Sequence, residues 1–234
     1  MCIECGCGDH EIVSVDAEER LLAKNDATAA HNRVHFLEHG VLAINLMGSP
    51  GSGKTALLEA TARAAPSMRL AAVSGDLATD RDAVRLRAAG IDARSITTGT
   101  ACHLDAEMIH EALHEFPTLP DLFVIENVGN LVCPAVYDLG QAANVVTLSV
   151  TEGEDKPLKY PVMFRKADLV LITKVDLLAA LRDFDLAAMR AAIAQVMPEP
   201  AVIEVSARNG WGMKAWLEWL RERRHPQALS RSAP

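Results

Sequence analysis

Gly48-Ser49-Pro50-Gly51-Ser52-Gly53-Lys54-Thr55 stands between an apolar run, Val41–Met47, and a segment with helical periodicity, Thr55–Ala65. The pattern Gly-x-x-x-x-Gly-Lys-Thr in this position predicts a phosphate-binding loop between a strand and a helix. The glycines let backbone N–H groups point into one concavity and bind phosphate oxygens. The Lys54 ammonium can neutralise the terminal phosphates, and the Thr55 hydroxyl can ligate Mg²⁺. The alternative, a glycine-rich turn at an ordinary strand–helix junction, is disfavoured by the complete motif in this context.

Short aliphatic runs alternate with helical segments along the rest of the chain. The further runs are Leu70–Val73, Leu122–Ile125, Val145–Val150, Leu169–Ile172 and Val202–Val205. The further helical segments are Asp80–Ala89, Asp105–Glu115, Leu186–Val196 and Met213–Arg223. Strands that are apolar on both faces and alternate with helices indicate a parallel sheet covered on both sides. The predicted fold is therefore α/β: a P-loop NTPase with a mostly parallel sheet covered by helices on both faces.

The two ends of the chain differ from this domain, which we place at residues 14–224. Residues 1–13 are rich in Cys and Gly and predict a flexible, Cys-rich metal-binding arm. The helix after the arm is expected to begin at Asp16, with Glu19 completing a capping box, and to end with Gly40 as its C′ residue. Residues 225–234 are polar and predict a disordered tail.

Composition narrows the classes of function. The 234 residues, 50% hydrophobic and 4% aromatic, are enough to bury an aliphatic core. A formal net charge of -8 without a Lys/Arg-rich block gives no reason to expect nucleic-acid binding. No apolar run reaches the ~20 residues of a membrane helix, and the N-terminus lacks signal-peptide features, so a cytoplasmic protein is expected. Five cysteines in such a chain favour metal or redox chemistry over a disulfide framework.

Two carboxylates follow predicted strands. Asp76 comes just after the second strand and Glu126 at the end of the third, so both should lie at the sheet edge that carries the P-loop. Each can hold Mg²⁺ directly or through water, or orient the attacking water, which makes Lys54, Asp76 and Glu126 the candidate catalytic residues. Helix capping is the alternative for Asp76, and for Asp80 capping and function are equally compatible with the sequence.

A base-recognition motif follows the run Leu169–Ile172. Thr173-Lys174-Val175-Asp176 is similar to the Asn-Lys-x-Asp guanine signature of GTPases. Asp176 can accept hydrogen bonds from guanine N1–H and the 2-amino group, a donor pair that adenine lacks. The Lys174 stem can lie over the purine, whereas Thr173 replaces the usual Asn, so one amide contact that braces the loop is lost or substituted. Ser206-Ala207-Arg208 resembles the Ser-Ala-Lys loop, whose backbone N–H contacts the guanine oxygen, and the two motifs together favour GTP and GDP over adenine nucleotides.

Three cysteines lie within the first seven residues. Cys2, Cys5 and Cys7 form the pattern Cys-x-x-Cys-Gly-Cys, in which Gly6 permits a tight turn around one soft metal ion. With the α-amino group as a fourth donor, if Met1 is retained, the set suits Ni²⁺ in a square plane or Zn²⁺ in a tetrahedron. The alternative is a redox Cys-x-x-Cys pair, which normally lies at a helix start near a βαβ unit.

Cys102 and His103 are a second candidate metal pair, because both side chains suit borderline metals. Cys133 is the candidate partner, although a lone Cys is usually a small buried hydrophobe and sequence spacing alone does not pair it with Cys102. Cys133 lies a few residues after Glu126, in a segment expected to sense the γ-phosphate. A ligand there would move with the nucleotide state and so couple metal affinity to hydrolysis.

Taken in order, these motifs resemble one family. The Cys-x-x-Cys-Gly-Cys arm, the P-loop and four further segments are similar to those of the hydrogenase nickel-incorporation GTPases, the HypB family of the SIMIBI class of P-loop GTPases. The four segments are Gly75–Ala83, Thr98–Ala106, Glu126–Pro134 and Glu152–Pro161. The resemblance extends to about Arg223.

The resemblance implies a GTPase that helps to deliver Ni²⁺ to the large subunit of [NiFe]-hydrogenase. It implies a nickel site at Cys2, Cys5 and Cys7, and a Ni²⁺ or Zn²⁺ site at Cys102, His103 and Cys133. It also implies a GTP-dependent homodimer and, as partners, a small nickel-binding accessory protein and the hydrogenase large-subunit precursor. The His-rich nickel-storage stretch of some relatives is replaced here by His10 alone.

Three other functions compete with this one. A sibling metallochaperone GTPase for urease or a cobalamin enzyme is not expected to share the Cys arm or the Cys102–His103 pair. An ATP-dependent kinase with a structural zinc is disfavoured by Asp176 and by the lack of a recognisable acceptor-substrate motif. The third is a nucleotide-gated scaffold that hydrolyses nucleotide only incidentally. Strong stimulation of turnover by a partner would favour a GTPase switch over such a scaffold.

Overall fold

The structure is a computed structural model that describes residues 10–76, 79–99 and 102–229. Its centre is one seven-stranded sheet in which every paired strand is parallel, with the order β3-β2-β4-β1-β5-β6-β7. The strands are β1 (Leu42–Met47), β2 (Leu70–Asp76), β3 (Asp92–Thr97), β4 (Leu122–Glu126), β5 (Ala143–Ser149), β6 (Leu169–Thr173) and β7 (Val202–Glu204). The predicted α/β architecture is confirmed.

Eight α-helices connect and flank the strands in the described part of the chain. They are α1 (His10–Glu38), α2 (Lys54–Ala64), α3 (Arg81–Ala88), α4 (Ala106–Leu113), α5 (Lys156–Lys159), α6 (Pro161–Arg165), α7 (Leu186–Val196) and α8 (Met213–Leu229). Two 3-10 helices cover Cys133–Ala135 and Val175–Ala180. Within the same residues no helix combines the length and the hydropathy that a bilayer crossing requires.

Alternate residues of each central strand face opposite layers of helices. On one face Ile44, Val124 and Val145 pack with α2, α3 and α8. On the other face the neighbouring residues of the same strands pack with α1 and α4 at one end of the sheet and with α6 and α7 at the other. Both faces are therefore buried, which explains the continuous apolar runs in the sequence.

The sequence missed one strand and misplaced several boundaries. β3 reads Asp-Ala-Arg-Ser-Ile-Thr, and it escaped notice because an edge strand needs little apolar surface. The capping-box start at Asp16 was wrong, since α1 is already helical at His10, inside the predicted arm. α8 continues to Leu229, into the segment predicted as a tail. The short helices α5 and α6 each carry a proline in their first turn, so no long helical period marks them.

The end of α1 agrees with the prediction. Gly40 has a φ of 61°, its N–H donates to the Leu37 carbonyl, and the Val41 N–H donates to the Phe36 carbonyl. These are the two hydrogen bonds of a Schellman motif, which needs a residue without a side chain in the left-handed region. The motif turns the chain directly from α1 into β1, so α1 lies beside the sheet and against α4.

The buried Trp216 of α8 tests this packing. Its side chain is 0% exposed and its indole Nε1–H donates to Thr61 Oγ1 over 2.9 Å. Trp216→Phe should lower the free energy of unfolding by about 2 kcal/mol, because it leaves a gap and removes a buried hydrogen bond. Trp211→Phe is the matched control, since Trp211 is 64% exposed, and should change stability by less than about 0.5 kcal/mol. Equal costs in urea unfolding would contradict the assignment of α8 to the core.

Candidate nucleotide site and metal centre

The P-loop joins β1 to α2 and is shaped by its first glycine and its lysine. Gly48 has a φ of 148°, and a Cβ at this position would lie 2.5 Å from the Thr147 carbonyl oxygen and 2.7 Å from Ser52 Oγ. Only glycine fits there. The buried Lys54 Nζ donates to the carbonyls of Gly48 at 3.1 Å and Ser49 at 3.2 Å, so the loop curls around an ammonium group. This arrangement places positive charge at the centre of the concavity.

Two carboxylates approach the P-loop threonine. Thr55 Oγ1 lies 2.7 Å from Glu126 Oε1 and 2.8 Å from Asp82 Oδ1. One hydroxyl hydrogen cannot serve both carboxylates, so the pair is only partly satisfied. Burial raises the pKa of the Glu126 carboxyl to about 7, because desolvation outweighs the Thr55 hydrogen bond and the Lys54 charge. Burial likewise lowers the pKa of Lys54.

These residues fit a hard divalent cation. Glu126 Oε2 is buried without a hydrogen-bond partner in the part of the chain that the structure describes. A buried carboxylate oxygen in that state costs free energy unless a cation or a proton satisfies it. Oxygen atoms of one hydroxyl and two carboxylates are the donor set that Mg²⁺ prefers. Glu126, Asp82 and Thr55 could therefore hold Mg²⁺ beside the terminal phosphates.

Asp76 lies at the end of β2 and lines the same cavity, where it accepts a hydrogen bond from the Thr79 N–H at 3.1 Å. Asp80 is the N-cap residue of α3, although its side chain makes no capping hydrogen bond. Asp82 is the acidic residue that sequence reasoning missed. It stands in the first turn of α3, and its distance from Thr55 depends on how α3 crosses the mouth of the P-loop.

Two adjoining cavities extend from Gly53. The first has a volume of about 400 Å³ and is bordered by the P-loop, Asp76, Asp82, Glu126 and the segment up to Gly129. The second has a volume of about 340 Å³ and is bordered by α2, by the segment Thr173–Leu177 and by Val205–Arg208. The first is lined by charged groups and the second mainly by apolar atoms, as phosphates and a base would respectively require.

The second cavity contains the candidate base-binding residues. Asp176 Oδ1 accepts a hydrogen bond of 2.6 Å from the buried Ser206 hydroxyl, which fixes the carboxylate and leaves Oδ2 for a ligand. Lys174 has a φ of 58° and its Nζ donates to the Gly51 carbonyl at 2.6 Å. Thr173 Oγ1 donates to the Ser52 carbonyl, also at 2.6 Å. The Thr173 hydroxyl therefore makes the contact between this loop and the P-loop that the amide of the usual Asn would make.

The loop after β7 borders the same cavity. Ala207 and Arg208 line it, and the Ala207 carbonyl accepts a hydrogen bond of 3.3 Å from Arg63 of α2. Ser206 is tied to Trp211 by a backbone hydrogen bond of 2.9 Å. The loop is thus held at both ends.

Cys102, His103 and Cys133 come together at the sheet edge beside the first cavity. Their ligand atoms all lie within 4.8 Å of one another, and the two sulfur atoms are 2.9 Å apart. The His103 ring stacks on Tyr137 with centroids 3.8 Å apart, which orients the imidazole. Two thiols and an imidazole suit Ni²⁺ or Zn²⁺ and leave coordination positions for an incoming ligand.

Burial and the contact between the two sulfur atoms set the protonation of this cluster. The Cys102 sulfur, and then burial, raise the pKa of the Cys133 thiol, so metal binding must displace a proton. Burial lowers the pKa of His103, which keeps the imidazole neutral and able to ligate. The other predicted metal ligands, Cys2, Cys5 and Cys7, lie outside the described residues.

Two buried asparagines connect the carboxylate of the phosphate site to the metal centre. Asn127, which follows Glu126, accepts a hydrogen bond of 3.2 Å from the Leu104 N–H and donates to Asn45 Oδ1 at 3.1 Å. Asn45 in turn donates to the Pro134 carbonyl at 3.4 Å. Leu104 follows His103 and Pro134 follows Cys133, so both loops of the candidate metal centre are tied to the residue after Glu126. Sequence reasoning gave no sign of this network, because an asparagine inside β1 carries no motif.

Fold and site together define a P-loop nucleotide-binding protein with a thiol–imidazole cluster beside its phosphate site. The family model described as "CobW/HypB/UreG, nucleotide-binding domain" matches residues 42–204. The hydrogenase maturation factor HypB of Azotobacter vinelandii is 51% identical over 216 residues, covering 92% of this chain and 71% of that protein. The chain therefore belongs to the CobW/HypB/UreG family and, within it, to the HypB group.

Solved structures agree with this assignment. HypB from Helicobacter pylori in complex with nickel is 41% identical and matches with a TM-score of 0.82, covering 87% of this chain and 96% of that one. The hydrogenase maturation factor HypB from Archaeoglobus fulgidus is 42% identical with a TM-score of 0.80, covering 87% of this chain and 100% of the other. The resemblance noted in the sequence is thus confirmed.

The pKa of Glu126 predicts how stability depends on pH in the absence of nucleotide and divalent ions. A carboxyl whose folded-state pKa is raised from 4.5 to about 7 stabilises the fold below pH 4.5 and loses that contribution as pH rises to 7. The loss should amount to roughly 3 kcal/mol. Glu126→Gln, which keeps an acceptor for Thr55, should remove this dependence. Parallel pH profiles of the unfolding free energy for the two proteins would contradict the assignment.

Proposed function

We propose that this protein is a GTP-hydrolysing nickel metallochaperone that assists insertion of Ni²⁺ into the large subunit of [NiFe]-hydrogenase. The observation that carries the proposal is the double connection through Asn127 and Asn45, which ties the loops bearing His103 and Cys133 to the phosphate-site carboxylate Glu126. The names of the relatives, hydrogenase maturation factors, and the nickel complex of the Helicobacter pylori protein support the metal and the pathway.

Guanine is the proposed base. Asp176 keeps one carboxylate oxygen on the Ser206 hydroxyl, so a base must satisfy the other oxygen. Guanine offers N1–H and the 2-amino group together, whereas adenine has no matching donor pair and would leave the carboxylate unsatisfied. The Thr173 brace to the P-loop supports the same geometry despite the departure from Asn.

For hydrolysis we assign three groups to the terminal phosphate. Lys54 neutralises the charge that develops on the phosphoryl oxygens, and its buried position strengthens that effect. Thr55 and Glu126 would hold Mg²⁺, which supplies further charge neutralisation when bound. Asp76, at the end of the neighbouring strand, orients the attacking water.

The phosphate end of the cavity is also in direct contact with the segment that leads to Cys133. A Cβ on Gly129 would lie 2.7 Å from the Pro50 side chain of the P-loop, so the two loops are packed without space between them. A change in the P-loop on loss of the γ-phosphate must therefore move the segment from Gly129 to Cys133. Cys133 then leaves the coordination shell, and the ion is released to an acceptor.

The surface around Cys133 also supports a proposal about assembly and partners. Val132 and Val136, on either side of Cys133, are 50% and 39% exposed, which supports a contact with a second copy in the GTP-bound state. Such a homodimer would bring two Cys102–His103–Cys133 centres close together. We propose a small nickel-binding accessory protein as the donor of the ion and the hydrogenase large-subunit precursor as its acceptor. Zn²⁺ is the alternative ion, and the cytoplasm is the proposed location.

Base specificity has a direct test. Asp176→Asn should weaken GTP binding by about 100-fold, because two hydrogen bonds to a carboxylate are lost. Xanthosine triphosphate, which carries a carbonyl in place of the 2-amino group, should bind the variant better than GTP does. Asp183→Asn, the same change at an exposed residue, is the control and should leave both affinities unchanged. An Asp176→Asn protein that still prefers GTP would contradict guanine recognition by this carboxylate.

Coupling between the two sites has its own test. In a full chain with Cys2, Cys5 and Cys7 replaced by Ser, the Ni²⁺ affinity should differ by about 5- to 150-fold between GDP and a non-hydrolysable GTP analogue. Isothermal titration measures both constants. Adding Cys102→Ser and Cys133→Ser should abolish the difference between the two nucleotide states, which locates the ion that responds to the nucleotide. Equal affinities with the two nucleotides would refute the gating mechanism while leaving GTP hydrolysis untouched.

A further inference from the structure

A row of histidines lies where α1 packs against α4, and none of them belongs to the sites described above. His31, His35 and His39 follow one another at intervals of four residues on α1, so they share one face of the helix. His110 and His114 have the same spacing at the end of α4. These five residues, which we call the histidine row, are more than half of the eight histidines in the chain.

Three pairs of rings in the histidine row lie close together, one pair between the two helices and two pairs along a single helix. His31 and His110 have ring centroids 5.0 Å apart, and His110 and His114 are 4.9 Å apart. His35 and His39 are 4.5 Å apart. His31 and His114 are exposed, and the other three are half-buried, so the row opens to solvent. Five imidazoles in one patch are unusual for a surface that only needs to be soluble, because each would repel the others when protonated.

The ring separations match those around a shared metal ion. With a metal–nitrogen distance of about 2.1 Å, two imidazoles bound at right angles or tetrahedral angles have centroids roughly 4.5–5.2 Å apart. The His31–His110 and His110–His114 separations, 5.0 and 4.9 Å, lie in that range, and so does that of the separate His35–His39 pair, 4.5 Å. Histidines four residues apart on a helix also form a recurrent pair of metal ligands, because both rings leave the same face.

Two of the rings have their tautomer fixed in the form that a metal needs. The buried Asn32 donates its amide hydrogens to the carbonyls of Ala106 at 2.8 Å and Leu139 at 3.3 Å. Its Oδ1 therefore faces His110 Nδ1, 3.2 Å away, and can only accept. His110 must carry its proton on Nδ1, which leaves the lone pair on Nε2.

His39 is fixed in the same way. Its Nδ1 lies 2.8 Å from the His35 carbonyl oxygen, which has no hydrogen to give, so Nδ1 is again the donor. A ring nitrogen that donates to a carbonyl while the other remains free is the usual environment of a metal-bound imidazole. Burial and the neighbouring rings of His39, His31 and His114 also lower the pKa of His35, against the opposing charge of Glu38.

We propose that the histidine row binds a borderline divalent transition-metal ion, Ni²⁺ or Zn²⁺, through His31, His110 and His114. Imidazole is a preferred ligand of both ions. Among the described residues, Cys102, His103 and Cys133 are the one set of three whose ligand atoms already lie within 4.8 Å. Closure of the histidine site therefore requires rotation of the exposed rings of His31 and His114, which rotamer freedom at the surface allows. His35 and His39 provide a second pair of donors one turn further along α1.

The position of the row gives such a site a direct relation to the metal centre. α4 begins at Ala106, three residues after His103, and α1 is tied to the same point by the hydrogen bond from the Ala106 N–H to Asn25 Oδ1, 2.9 Å long. The row then continues along α1 and α4 from this point. An imidazole-only site holds such ions less tightly than thiolates do, so it would concentrate ions beside the centre without competing for them.

The test uses the full chain in three forms: wild type, His31→Gln/His114→Gln, and Val34→Gln. Both histidines are exposed, so the double variant should fold normally, and Val34 is an exposed residue between His31 and His35 on α1. Equilibrium dialysis against Ni²⁺ should show one ion fewer per chain for the double variant, and no change for the control. Thiolate-to-nickel charge-transfer absorption should be the same in all three proteins, because the cysteine sites are untouched.

A second measurement reports on a ring that is not mutated. Ni²⁺ should slow carbethoxylation of His110 by diethyl pyrocarbonate in the wild type and in the control by about tenfold or more, as followed by peptide mass spectrometry. The protection should disappear in the double variant. Unchanged stoichiometry in the double variant, or His110 modification that ignores Ni²⁺ in the wild type, would overturn the site. Neither result would affect nucleotide-dependent binding at Cys102, His103 and Cys133, so the two proposals fail separately.

Discussion

The carboxylate of Glu126, buried at the end of β4, is the constraint on which the rest of the site depends. A carboxylate with a pKa near 7 and one oxygen without a partner in the described residues is costly to keep in a folded protein. The cost is offset when the Thr55 hydroxyl and the Lys54 ammonium are held within reach and a cation or a proton satisfies the remaining oxygen. The P-loop, which curls around Lys54 and begins α2 at the same point, meets that requirement.

Strand order explains why this carboxylate lies close to the cluster of Cys102, His103 and Cys133. β4 lies between β2 and β1, so its carboxyl end is flanked by Asp76 on one side and by the P-loop on the other. The chain leaving β4 must then cross the mouth of the P-loop, where Gly129 allows close contact with Pro50. Cys133 follows a few residues later and meets Cys102 there. Phosphate site and thiolate centre are neighbours because consecutive residues of one loop serve both.

The sequence predicted those parts of the site that are encoded as contiguous motifs and missed those that depend on packing. The P-loop, Asp76, Glu126 and the guanine-type loop could be found because each occupies a fixed place after an apolar strand. Asp82 could not, since its carboxylate reaches Thr55 only through the path of α3. The Asn45–Asn127 bridge and the Ser206–Asp176 hydrogen bond join residues 82 and 30 positions apart, and no local pattern reveals such pairs. β3 was missed for the related reason that an edge strand can remain polar.

The asparagine bridge also sets a physical limit on how the two sites can communicate. Both asparagines are buried, and each donates from its amide nitrogen and accepts at its side-chain oxygen within the protein. A displacement of Glu126 therefore cannot be absorbed by one side chain without leaving a buried polar group unpaired, at a cost of about 1–3 kcal/mol. The lower-energy response is for the loops at Leu104 and Pro134 to move with it. Since Cys133 precedes Pro134 and His103 precedes Leu104, a shift at the phosphate end changes the metal ligands from two directions at once. A single tether would only translate the cluster, whereas two tethers on different residues can change the distance between Cys133 and His103, which is the distance on which the proposed release of an ion depends.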